Sequence, residues 1–190
     1  MALERRVIVA KALELLDEVG VDGLSTRRLA AELGVKGPSL YWHFKGMSEL
    51  FDLMAEALLE TALPAPDGFP GDWQAWLADG ARGIRRAALS HRDGARLLVA
   101  AAPTDKNSTL DFAAMVGRLQ SEGFRHREAS WALLGLGRYA RGWALYEQLS
   151  PRKLPEADEA FEFGLQVMIA GLELRVPAAG QGRDKRRRPV

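Results

Sequence analysis

The side chains that could carry chemistry in these 190 residues form a scattered set and a clustered one. The scattered set has catalytic residue types without catalytic spacing. His43, His91 and His126 stand far apart and make no HExxH pair, so no imidazole metal site is written into the chain. Asp158 and Glu159 are neighbours, point in different directions on a helix, and cannot work as a paired acid and base. His91-Arg92-Asp93 has the wording of a kinase catalytic loop but lacks the spaced asparagine and the glycine-rich loop that go with it. The absence of cysteine excludes disulfides, thiolate zinc sites and cysteine nucleophiles. The expectation is a protein that is not an enzyme and carries neither metal nor cofactor. The clustered set lies between residues 25 and 45. There Arg27, Arg28, Lys36 and Lys45 face a single acid, Glu32, and are interleaved with Thr26, Ser39, Tyr41, Trp42 and His43. Cations, hydroxyls and aromatics with polar tips suit phosphate oxygens and base edges.

Two short helices must hold this cluster. Leu29 and Leu33 lie one turn apart and share a face. Gly34 stands where a left-handed residue would end the first helix, and Val35 turns inward. Gly37-Pro38 opens a second helix, 38–44, with proline where no backbone donor is lost, burying Leu40 and Phe44. Such a layout fits a helix-turn-helix, although spacing alone also fits a plain αα-hairpin. A preceding helix over 4–19, with Ile8, Ala12, Leu15, Leu16 and Val19 as its stripe and Gly20 as its stop, closes a three-helix core. Some forty-five residues are marginal alone, so this head must lean on the helices C-terminal to it.

The remainder reads as further helices, giving an all-α fold: 47–62, a proline- and glycine-rich linker at 63–71, a helix capped by Asp72 through Leu89, then 92–100, 107–122, 126–148 and 156–175. Boundaries fall at 1–46 for the helix-turn-helix head, 47–176 for a larger helical body, to which the resemblance given below assigns effector binding and dimerisation, and 177–190 for a basic tail. Gly135, Gly137 and Gly142 inside one helix predict close approach of another backbone. The last helix carries two apolar faces, Phe161, Leu165, Met168 and Leu172 on one and Phe163, Val167, Gly171 and Leu174 on the other. One face serves the chain's own core and the other a second subunit. Gly135, Gly142, Phe161, Leu165, Met168 and Leu172 are assigned to a homodimer interface. The net charge of +1 conceals an acidic segment 1–63 and a strongly basic tail, so local placement, not overall charge, must govern phosphate contact. No apolar run is long enough for a membrane span, which leaves a cytoplasmic location as the expectation.

LSTRRLAAELGV followed by a proline-started LYWHFK resembles the DNA-binding segment of the TetR family of bacterial transcriptional repressors, and HRDGA at 91–95 and AAPTDK at 101–106 resemble the body of its tetracycline-repressor branch. The resemblance implies a homodimeric repressor released from double-stranded operator DNA by a small-molecule effector. In that setting 38–44 enters the major groove, with Thr26 at a phosphate, Arg27 at a guanine edge and Ser39 at a base edge. Tyr41, Trp42, His43 and Lys45 clamp the backbone, while Arg28 and Lys36 lie near phosphates. Gly37 precedes Pro38 where the tetracycline repressors carry glutamine, so their operator cannot be assumed. Met47 stands where relatives often have a lysine. Leu98, Ala101 and Leu63 replace the histidine and threonine ligands of the drug–metal site, Gly80 and Met115 replace polar positions, and Tyr146 replaces an acid. Divalent ions prefer oxygen and imidazole donors. The expectation is therefore no magnesium–tetracycline, and a mainly apolar pocket walled by Ile84, Leu98, Phe112, Met115, Trp131 and Leu134, with Arg138 available to an anionic group. A second reading also fits: a helical dimer that sequesters a small molecule and whose DNA head is idle.

Overall fold

A computed structural model describes residues 3–101, 110–152 and 154–175. The basic tail and the AAPTDK stretch beyond Ala101 lie outside those residues. The described residues form nine helices and no strand: α1 Arg5–Gly23, α2 Thr26–Glu32, α3 Gly37–Leu40, α4 Met47–Ala62, α5 Trp73–Leu89, α6 Gly94–Ala100, α7 Phe112–Ser121, α8 His126–Leu149 and α9 Ala157–Glu173. One apolar core runs from Ile8 on α1 to Ile169 on α9. The head is thus not a separate globule. Its small core is completed by Leu50 and Met54 of α4.

Local chemistry sets most helix ends. The Asp72 carboxylate accepts the Ala75 N–H at 2.8 Å and starts α5 where expected. Asp111 does the same for Ala114 at 2.8 Å, so α7 begins at Phe112, later than the expected 107. Gly20 adopts φ +71°, but the chain resumes one more helical turn to Gly23 instead of stopping there. The α6 helix starts at Gly94, not 92, because Asp93 itself is left-handed at φ +56°.

That Asp93 turn locks the body to the head. The Asp93 Oδ2 accepts the Val21 N–H at 3.0 Å, while Asp17 accepts the Arg92 N–H and pairs with His91 Nδ1, both at 2.8 Å. Arg92 donates to the Glu18 carbonyl, and Arg96 forks onto Asp22 at 2.9 and 3.0 Å. The arginine beside it holds the Asp22 carboxyl below its usual range.

In the body, α5 is the central helix, with Ala78, Ala81, Gly83, Ala87 and Ala88 buried so that neighbours can close on it. A tight backbone contact within the chain lies there: a Cβ on Gly83 would overlap the Ala62 carbonyl at the end of α4. On α8, the space beside Gly135 and Gly137 ends in side chains 3.9 and 3.8 Å away, and Gly142 faces open space. Charge pairs tie the last helices down. Arg82 forks onto Glu162 at 2.7 and 2.6 Å, and Arg85 onto Glu147 at 2.8 and 2.9 Å while stacking on Phe161.

The two faces of α9 are sorted opposite to the assignment made from sequence. Phe161 is only 1% exposed and Leu165 is fully buried against the chain's own core, with Met168 and Leu172 half-buried beside them. Phe161 and Leu165 therefore present no surface to a partner, while Met168 and Leu172 keep part of theirs in reach of one. The outward face carries Phe163 (74% exposed), Val167 and Leu174, beside Trp131, Leu134, Tyr146 and Leu149 on α8.

Candidate DNA-reading face and effector chamber

The head assembles its polar cluster on one side. Ser25 caps α2 by accepting the Arg28 N–H at 3.2 Å, which leaves Thr26 in the first helical position. Gly34 at φ +65° ends α2 in a two-bond cap, Val35 N–H to Ala30 carbonyl and Gly34 N–H to Ala31 carbonyl. Proline then starts α3. The expected helix over 38–44 is shorter than anticipated: regular α geometry covers only Gly37–Leu40, and residues 41–43 continue as turns on the Leu40 carbonyl. The run of four bulky residues after Leu40 faces out on one side and in on the other. Phe44 is buried, whereas Tyr41 is 56% and Trp42 89% exposed.

Thr26, Arg27, Gly37, Pro38 and Tyr41 line one shallow cleft between α2 and α3. Lys36, Ser39 and Lys45 are exposed on the surrounding surface and His43 is half-buried. Arg28 is the member with another task, since its guanidinium donates to the Gly23 carbonyl at 2.8 Å and closes the α1–α2 turn. The Lys45 N–H is held at 2.7 Å by Glu49 in the first turn of α4. An exposed tryptophan beside a proline-started turn and free cations offers stacking area and charge to a polyanion.

A second concavity, of about 370 Å³, lies in the body. That volume is in the range of small-molecule sites. Leu63, Gly80, Ile84, Phe112, Met115, Leu134 and Arg138 line it. Three expected wall residues do not. Leu98 is buried in the core behind the chamber and Ala101 packs against that core. Trp131 is 58% exposed and faces outward with the Arg127 guanidinium on its ring. Sequence misplaces Trp131 because α8 is apolar nearly all round and its pattern names no inner face.

Lining residues not anticipated include Leu59, Trp76, Leu77 and Arg141. Arg141 was legible in principle, since it follows Arg138 by three positions and Leu134 by seven, on the same helix face. The 63–71 linker forms the rim. The Trp76 indole N–H donates to the Pro64 and Ala65 carbonyls at 3.3 and 3.1 Å. Arg118 donates to the Pro66 and Gly71 carbonyls and lies over the Trp76 ring at 5.2 Å. No carboxylate or imidazole lines the chamber among the described residues, and these hold no cluster of three metal-ligating side chains. The described walls offer a divalent ion no donor set.

The geometry of both sites can be set beside known proteins. The model for bacterial regulatory proteins of the tetR family matches residues 8–54, and the model for the tetracyclin repressor-like C-terminal domain matches residues 64–155. The class A tetracycline repressor from transposon 1721 of Escherichia coli is 37% identical, over 91% of this chain and 92% of its own. The chain belongs to the TetR family. Among TetR-family structures, a substituted form of TetR from Acinetobacter baumannii AYE in complex with minocycline is 39% identical with a TM-score of 0.80, covering 93% of this chain and all of that one (100%). The Streptomyces coelicolor protein ActR in complex with actinorhodin is 29% identical with a TM-score of 0.80, over 94% of this chain and 100% of its own. TetR-family regulators bind DNA and small-molecule effectors and act as dimers. No helix among the described residues is long and apolar enough to cross a membrane.

Proposed function

We propose that this protein is a homodimeric, cytoplasmic repressor that leaves a palindromic operator when a small, mainly apolar molecule enters the body chamber. The observation that carries the reading is the pairing of one exposed, proline-started recognition turn with one apolar chamber on the same helix, α4. Leu50 and Met54, near the start of α4, complete the head core, while Leu59 and Leu63, at its end, line the chamber. An effector that fits better with α4 tilted would shift the head with it. In a dimer the two recognition elements must sit about 34–36 Å apart to enter successive major grooves, so a small tilt suffices to release DNA.

On the DNA side, Arg27 reads a base edge, with Ser39 and Thr26 beside it, and Tyr41, Trp42, His43, Lys36 and Lys45 hold the backbone. On the effector side, magnesium–tetracycline is not the inducer, because the chamber walls present leucine, glycine and methionine where that complex needs imidazole and oxygen donors. Minocycline and actinorhodin, bound by the two relatives named above, mark the scale of molecule this architecture accepts.

Selection from a random duplex pool tests the first half. A palindrome should emerge, and Arg27→Ala should lower affinity for it by about 1–3 kcal/mol while binding to unrelated duplex changes little. A protein that merely sequesters its ligand would select no sequence and be indifferent to that change.

A further inference from the structure

Among the described residues, the chamber is apolar on every side but one. Arg138 and Arg141, one turn apart on α8, are its only charged lining residues among those described. Elsewhere in the body, Arg82, Arg85 and Arg96 each have a carboxylate partner. Neither chamber arginine has one among the described residues. Arg138 stands at the exposed mouth, whereas Arg141 is half-buried and its Nε–H is shut away from water with no acceptor. Burial, and then the charge of Arg138, push the Arg141 guanidinium below its usual range.

A guanidinium keeps its proton at neutral pH, so this is a charge held in an apolar setting with no counter-charge among the described residues. A buried polar group left unmatched is costly unless something arrives to match it. A second positive charge one turn away raises that cost. The sequence points to Arg138 alone; the deeper residue is the more demanding one.

We infer that the two arginines form a head-group site for an organic monocarboxylate, whose apolar body lies against Leu59, Trp76, Ile84 and Met115. The inference rests on the reading of the chamber as the effector site. The planar guanidinium fork matches a carboxylate in a bidentate pair, which fixes orientation as well as charge. A monoanion fits better than a phosphate dianion because only Arg141 is withdrawn from solvent, and Arg138 is already screened by water at the mouth.

Calorimetric titration of the full-length chain at neutral pH, with decanoic and 1-naphthoic acids against their methyl esters, tests this directly. The acids should bind roughly tenfold to a hundredfold more tightly than the esters. Arg141→Gln should abolish that preference and Arg141→Lys should keep part of it, with ester binding showing that the chamber is still formed in each variant. Equal binding of acid and ester by the unaltered protein, or an undiminished preference in Arg141→Gln, would overturn the inference. Tighter binding of esters removes the carboxylate but leaves the chamber as the effector site. Failure of both series at millimolar concentration removes both.

Discussion

Gly37 shows how much one residue can decide. It precedes the proline that starts α3, lines the α2–α3 cleft, and a Cβ built on it would meet nothing within 4 Å. Its φ is not in the left-handed region, so no backbone strain demands glycine there. A side chain would project beside Arg27 and Tyr41, on the surface that faces DNA in the proposed complex. Gly37→Gln should therefore leave thermal stability within about 0.5 kcal/mol, as surface substitutions usually do. It should also change which operator the protein selects, because a glutamine amide can pair with an adenine edge for about 1–3 kcal/mol of discrimination. Unfolding curves and a repeated duplex selection check the two halves separately. An unchanged operator would place this residue away from the bases.

Among the elements, what sequence could and could not reveal depends on how each helix is specified. Asp72, Gly34 and Pro38 act within a few residues of themselves, and the ends they set agree with the pattern of the chain. The left-handed Asp93 and the extra turn after Gly20 are a different case. Each is held by the other segment, through the Val21 N–H and the Asp17 carboxylate, more than seventy positions apart in sequence. Likewise α9 has two apolar faces of similar size, and only the packing of Arg82, Arg85 and Tyr139 on one of them shows which is inner. Of the chamber, Leu63, Gly80, Ile84, Phe112, Met115, Leu134 and Arg138 were legible because they fall on matched family positions or on one helical stripe. Leu98 and Ala101 stand on matched positions as well yet pack into or against the core, and Trp131 had no local cue to direction.

The close packing of α4 on α5 sets two opposing effects against each other. Glycine to alanine within a helix normally gains up to about 1 kcal/mol. At Gly83 the new methyl would overlap the Ala62 carbonyl, backbone that has little room to move, and overpacking of that kind costs about 1–3 kcal/mol. The clash should win, so Gly83→Ala should lower the midpoint of thermal unfolding by several degrees, at about 2–4 °C per kcal/mol for a chain of this size. Gly117→Ala on α7, where nothing lies within 4 Å, should shift it the other way. Calorimetry on the pair decides whether helix propensity or contact governs.

For the whole molecule, the exposed residues Phe163, Val167, Leu174, Tyr146 and Leu149 form an apolar surface that a lone chain would leave in water. TetR-family regulators act as dimers, and we propose this surface, on the two last helices, for the two-fold contact. Phe163→Asp should weaken self-association by about 2 kcal/mol or more if the ring sits near the centre of that contact. Sedimentation at micromolar concentration would show the shift toward single chains, with helical content kept. Operator affinity should fall with it, because half-sites are held together only by the pair.

The Ala62 carbonyl pressed against Gly83 has one further mechanical meaning. It fixes α4 at its far end, and sixteen residues at 1.5 Å each make that helix about 24 Å long. With the fulcrum beside the chamber and the load at the duplex, a swing of about 5° displaces the loaded end by about 2 Å. In the proposed mechanism, molecules that nudge the short arm by a few tenths of an ångström are geared up, at no cost in new contacts, into a misfit between protein and groove.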